Sequence, residues 1–418
     1  MRIHPRWLVA LLPVVAFAAL AADAPKEEKL PKWKKIVVDK HFVSEGAGVA
    51  DINQDGKLDV VNGEIWYEAP DWKPHRFRAG KDDYTEGEKN VYSHSFCVWS
   101  DDFNHDGYPD VIVIDFPGTP CAWYENPGKG GGDGLWKRHL ITNSACNETP
   151  QYVDLFGTGK RVIVMGWQPD GKGNEGQMAW FEPGEDPTKP WVMHSISGPS
   201  VPPEMKDGKP VPGTGKEIPG TQRFSHGLGV GDVNGDGRLD VICTGGWWEQ
   251  PAKVTDEPWP FHPADLGPDC ADMIAYDING DGKADIISSS AHKFGIWSHH
   301  QRAGKDNPSF LKVDLFPQLV SETHSMVCAD IDGDGVKDIV TGKRYWSHGY
   351  SEPGSRGPAT VYWLKAKKSA DGTVTFTPHE IDNDSGVGTQ FTVTDLNGDG
   401  KLDIVTSNKK GTYIFLQE

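Results

Sequence analysis

Asp51-Ile-Asn53-Gln-Asp55-Gly-Lys-Leu-Asp59 decides the reading of this chain, because the same nine-residue pattern is written five more times. The copies are Asp102-Phe-Asn104-His-Asp106-Gly-Tyr-Pro-Asp110, Asp232-Val-Asn234-Gly-Asp236-Gly-Arg-Leu-Asp240 and Asp277-Ile-Asn279-Gly-Asp281-Gly-Lys-Ala-Asp285, then Asp330-Ile-Asp332-Gly-Asp334-Gly-Val-Lys-Asp338 and Asp395-Leu-Asn397-Gly-Asp399-Gly-Lys-Leu-Asp403. A degenerate seventh, Asp154-Leu-Phe-Gly157-Thr-Gly159, lies between the second and third complete copies. Oxygens at positions 1, 3 and 5 of a tight loop converge on a hard cation, and glycine at position 6 permits the turn. A carbonyl at 7 and the aspartate at 9 would close the shell.

An EF-hand would place glutamate at position 12 and helices on both sides. Here the flanks are short apolar runs such as Asp59-Val-Val and Asp285-Ile-Ile-Ser, so each loop joins two strands. The reading is about six structural Ca²⁺ sites, with none expected in the third unit. Mg²⁺ suits an all-protein oxygen cage of loose geometry less well. Nineteen aspartates sit in the six loops, and six divalent ions would bring the formal charge from −18 to about −6. The acidity is therefore structural, and it argues against nucleic acid as a partner.

Gly 49, Pro 31 and Trp 16, with no long helix-forming stretch after the N-terminus, indicate an all-β chain. Two early arginines, the apolar run Trp7–Leu20 and the small-x-small triplet Ala19-Leu20-Ala21 predict a signal peptide over 1–21. A linker over 22–32 and one domain over 33–418 follow. Export to the periplasm or beyond is expected, with no membrane insertion. Cys97 and Cys328 read as buried thiols, and Cys121, Cys146, Cys243 and Cys270 as the candidates for disulfide bridges.

The six metal loops closely resemble those of the FG-GAP/VCBS repeat family, over Trp33 to Glu418. That resemblance implies a seven-bladed β-propeller of four-stranded blades, with the calcium loops between first and second strands of six blades. Val49-Ala-Asp51, Asp59-Val-Val61, Ile65-Trp-Tyr67 and His75-Arg-Phe77 would be the strands of the first blade. The last unit ends after three strands, and Trp33-Lys-Lys-Ile-Val-Val38 is expected to supply its fourth and close the ring.

In such a propeller the loops entering each inner strand, and those joining second to third strands, share the face opposite the metal loops. Six positions before the first Asp of each motif stand Glu45, Glu148, His226, Ala271, His324 and Thr389, with Asp272 and Gln390 next to two of them. His94 falls one or two residues further out. The second-to-third-strand loops add Asp115, Gln168, His292, Lys343, Arg344 and His348. His94, His226, His324, His292, Lys343 and Arg344 are the catalytic candidates, and Glu45, Asp115, Glu148, Gln168, Asp272, His348 and Gln390 the substrate-binding ones. Trp66, Trp123, Trp180, Trp247, Trp297 and Trp346 lie close behind, as inter-blade core or as stacking surfaces for sugar.

For the histidines three readings stand: a hydrated plug, a Zn²⁺ or similar site on His94, His226 and His324, and metal-free acid/base chemistry. The Pro/Gly-rich stretch from Ser197 to Thr221 is expected to form a lid or wall of this face, or a loose surface loop. The propeller is similar to that of aldos-2-ulose dehydratase and of secreted bacterial VCBS-repeat proteins, which implies β-elimination on a keto-sugar or glycoside. The alternative is a non-catalytic carbohydrate-binding or adhesion propeller. The oligomeric state is left open.

Overall fold

The short, wholly buried second strands organise the molecule. Asp110–Ile114, Asp285–Ser289, Asp338–Gly342 and Asp403–Asn408 expose none of their residues, and each is sandwiched within a four-stranded antiparallel sheet. The computed structural model describes residues 30–84, 91–132, 134–169, 175–267, 270–302 and 309–418. The expected signal peptide and most of the linker lie outside the described residues.

Seven four-stranded sheets form seven blades. Blade one is Gly48–Ala50, Asp59–Val61, Ile65–Glu68 and Lys73–Arg76, and blade two is Cys97–Asp101, Asp110–Ile114, Cys121–Glu125 and Lys137–Thr142. The same meander recurs through blade six. The last sheet contains Thr392–Thr394, Asp403–Asn408 and Gly411–Gln417, with Trp33–Asp39 hydrogen-bonded antiparallel to Gly411–Gln417. Among the described residues no helix is long and apolar enough to cross a membrane.

The core lies between blades. One cluster joins Ile112, Ile114 and Trp123 of blade two to Ile163, Met165 and Phe181 of blade three. Each such side chain, withdrawn from water, contributes about 1.5–3 kcal/mol. Near the axis the inner strands approach so closely that glycine is required. A Cβ on Gly48 would lie 2.9 Å from the Val98 carbonyl oxygen, and one on Gly229 would collide with that of Met273.

The six Asp-rich loops share one internal design. Asp51 accepts the amides of Asp55 and Gly56 at 2.9 Å each, and Asn53 accepts that of Asp55 at 3.0 Å. The ninth residue is buried in every copy. Asp59 accepts the amide of Ile52 at 3.0 Å and that of Ala69 at 2.8 Å, tying the loop to the end of the third strand. In the third blade Asp154 accepts the amides of Thr158 and Gly159 at 2.9 and 2.7 Å.

The disulfide expectation needs correction. All six cysteines are free, so Cys121, Cys146, Cys243 and Cys270 form no bridges. These four and Cys97 are buried, whereas Cys328, read from the sequence as buried, is half-buried; burial pushes the Cys121 and Cys243 thiols up to about 12. Trp66, Trp123, Trp180, Trp247 and Trp297 on third strands, and Trp346 in the loop after Asp338–Gly342, are all buried, as the inter-blade core reading expects, so none offers a stacking face to solvent. In four blades a histidine of the outer strand covers the indole instead. His75 stacks on Trp66, His139 on Trp123, His194 on Trp180 and His262 on Trp247, at 3.8 to 4.2 Å between ring centres. Each histidine reaches the glutamate two residues after its tryptophan, at 2.6 to 3.1 Å.

Candidate functional site

Antiparallel meandering brings the loops before the inner strands and those after the second strands to one face. There the structure gathers Glu148 from the entry of blade three, His226 from that of blade four and His324 from that of blade six. His348 joins them from the loop after Asp338–Gly342. Their ligand atoms lie within 4.8 Å of one another. Nε2 of His226 and of His324 stand 3.6 and 3.8 Å from Glu148 Oε2, and both are buried without a hydrogen-bond partner. Nδ1 of His324 lies 3.1 Å from the Glu322 carbonyl oxygen. An Nδ1–H donated there leaves Nε2 as a lone pair aimed into the cluster.

Glu352 provides the equivalent restraint for two more rings. Its oxygens lie 2.8 Å from Nδ1 of His292 and 3.2 Å from Nδ1 of His348, whose ring centres are 4.4 Å apart. Burial alone would raise the Glu352 carboxyl, but the two imidazoles outweigh it and hold the group at about 2. Burial, with Arg344 adding to it, holds the His324 imidazole well below its ordinary value. Burial likewise keeps His348 low.

Behind the histidines lies a buried ion network. Arg344 donates from Nη1 to Glu148 at 2.8 Å and from Nη2 to Glu45 at 2.6 Å, and Lys409 donates to the same Glu45 oxygen at 3.0 Å. Lys343 pairs with Glu322 at 3.3 Å. Burial lowers Lys409 to about 8 although Glu45 opposes it, and the rings of Tyr92, Phe42 and Trp346 surround its ammonium at 4.6 to 5.4 Å. Glu45, Glu148 and Glu322 thus pair with Arg344, Lys343 and Lys409, and Glu352 with the two imidazoles. Burial pushes the Glu322 carboxyl up and the Lys343 ammonium down.

Several expected members sit elsewhere. His94 does not join His226 and His324: it pairs with Asp115 at 3.0 Å, and its side chain is 58% exposed. The one- or two-residue offset from the common alignment swings it to the rim of blade two. Arg344 and Lys343 are buried behind the cluster and paired with carboxylates. Gln168 donates to the Thr221 carbonyl oxygen at 2.8 Å. Asp272 accepts from Ser325, Gln151 and the Met326 amide at 3.1 Å each, and burial pushes it up to about 7. Gln390 bonds the backbone of Ala47 and Val98 across three inner strands. The Ser197–Thr221 stretch is tied down, with Asn147 and Gln168 gripping the carbonyls of Gly220 and Thr221.

Sequence reasoning missed Glu352, Glu322, Lys409 and Tyr92. Two signals were present. Glu352 follows His348 by four residues, and Lys409 occupies the blade-seven loop that corresponds to Lys343 and Arg344.

Two family models match the chain, an FG-GAP-like repeat over residues 277–341 and an FG-GAP repeat over 387–413. No curated protein matches. Solved structures of similar fold include BBS1N in complex with ARL6DN, soaked with lead, at 10% identity and TM-score 0.46, over 92% of this chain and 97% of that one. Rhamnogalacturonan lyase YesW is similar at 13% identity and TM-score 0.37, over 94% and 73% of the two chains. The V. cholerae biofilm matrix protein Bap1 follows at 16% identity and TM-score 0.31, over 69% and 40%.

Proposed function

We propose that this FG-GAP-repeat β-propeller is an exported enzyme that carries calcium in its six Asp-rich loops and acts on carbohydrate by metal-assisted β-elimination at the opposite face. The observation that carries the reading is the convergence of Glu148, His226, His324 and His348, with two imidazole nitrogens buried and unpartnered. Buried polar atoms are paired in folded proteins unless something else engages them. Three imidazoles and one carboxylate suit Zn²⁺ or a similar borderline divalent ion.

Ligand atoms of tetrahedral zinc lie about 3.4 Å apart at the usual bond lengths of about 2.0–2.1 Å, so the four groups need to contract modestly. Glu352 and the Glu322 carbonyl would orient the rings, as second partners of metal-bound histidine do. The ion would supply polarisation of a substrate carbonyl. Glu148 would be held toward such an ion by its hydrogen bond from Arg344.

Carbohydrate is favoured by the rim. Phe224 and Tyr350 are each 41% exposed, and each lies two residues from a cluster histidine. Exposed rings beside polar groups stack on the apolar faces of sugars. A non-catalytic binding propeller would repeat equivalent shallow sites around the ring. The cluster is instead lopsided, drawn from blades three to six.

The test is elemental analysis of dialysed protein beside a His226/His324/His348→Ala variant. About one equivalent of zinc or a similar ion, lost in the variant while calcium is kept, supports the reading. Calcium alone in both proteins overturns it.

A further inference from the structure

An imidazole whose lone pair is given to a metal cannot also take a proton from the carbon next to a carbonyl, so a positioned side-chain base has to come from elsewhere on the face. The imidazoles of the cluster are committed, His226, His324 and His348 as ligands and His292 to Glu352. His94 is placed differently. It leads into blade two on the same face, and its Nδ1 lies 3.0 Å from Asp115 Oδ1. Asp115 is itself fixed, accepting from Arg78 Nη2 at 2.9 Å and from the Phe116 amide at 2.6 Å. Arg78 also donates to the His94 carbonyl oxygen at 2.6 Å. A carboxylate that takes the Nδ1–H leaves Nε2 as the basic nitrogen.

The same segment runs into the metal network. Ser93 donates from its amide and its hydroxyl to Glu45 at 3.3 Å, and the Tyr92 ring lies 5.8 Å from the Arg344 guanidinium. His94 therefore stands at the rim of blade two, its ring edge-on to Tyr84 and its side chain 58% exposed, on a strand entry whose preceding residues reach the ion network.

We propose that His94, oriented by Asp115 and Arg78, is the proton-transfer residue of this face. The proposal rests on the metal-assisted reading above. Nε2 takes the proton from the carbon beside the carbonyl, and that C–H electron pair forms a carbon–carbon double bond. In exchange, the carbonyl π pair moves onto oxygen and returns when a proton is given back. In elimination, the pair expels the oxygen on the next carbon, which leaves as water or alcohol with the proton His94 carried.

Dihydroxyacetone in D₂O is the probe, with deuterium entry beside the carbonyl followed by NMR on zinc-loaded protein of measured metal content. We expect His94→Gln to lose a hundredfold or more of the exchange rate while keeping its metal and its melting temperature. Asp115→Asn should lower the rate and alter its pH profile, which a purely structural role would not do. Exchange by His94→Gln at the parental rate overturns the proposal. So does a metal-loaded parent without exchange, a result that leaves the metal site standing. A protein that takes up no zinc-type ion overturns the underlying reading instead.

Discussion

Arg344 Nη2 lies 2.6 Å from Glu45 Oε1, a contact between blades six and one across 299 positions of sequence. Both groups are buried, and Arg344 also holds Glu148. Removing one partner of a buried pair leaves an uncompensated charge, which costs about 3–5 kcal/mol. Arg344→Met should lower the urea midpoint accordingly. Glu45 keeps Lys409 in that variant while Glu148 is left facing only imidazoles, so adding Glu148→Gln should recover part of the loss, and a double variant no more stable than Arg344→Met would refute the coupling.

Glu352 holds two cluster rings through Nδ1, so its role is orientation. Glu352→Gln should weaken zinc about 10–100-fold, as loss of such a partner does elsewhere. Competition with a chromogenic chelator measures this. Calcium content should not change.

The Asp-rich loops should bind about six Ca²⁺ in total. A site saturated a hundredfold over its Kd stabilises by about 2.7 kcal/mol, so EGTA should lower the melting temperature substantially. Asp399→Ala should lose one equivalent of calcium. Asp154→Ala, in the third blade, should lose none.

Burial, with Lys312 adding to it, pushes the His299 imidazole down to about 4. Unfolded histidine titrates near 6.5. Below that pH the unfolded chain takes up a proton that the fold refuses, so stability falls by up to about 1.4 kcal/mol per pH unit until about pH 4. His299→Gln should flatten this acid limb in a series of urea midpoints. An unchanged slope would show that another group sets it.

The strands and loops were legible because their signal is local: nine residues carry an Asp-rich loop, and its flanks are the adjacent strands. Glu148, His226 and His324 were found by counting back from that loop, since one rigid scaffold repeats at each blade. His94 carries a different offset, and a shift of one or two residues was enough to turn it toward Asp115. Glu352 depends on how the irregular loop after Gly342 folds back over the cluster, which no period records. The cysteines illustrate the same limit, because a bridge requires two Cα atoms within about 7 Å and sequence spacing does not report that distance.

The paired rings of Trp66 and His75, Trp123 and His139, Trp180 and His194, and Trp247 and His262 also make this protein readable by light. Each indole is kept dry by the outer strand of its own blade. If one strand detaches, that fluorophore meets water and its emission moves to longer wavelength while its counterparts stay unchanged. With 16 tryptophans in the chain, the signal of one such indole is the difference between the parent and a variant carrying phenylalanine at that position, so the peeling of one blade could be timed separately from the collapse of the ring.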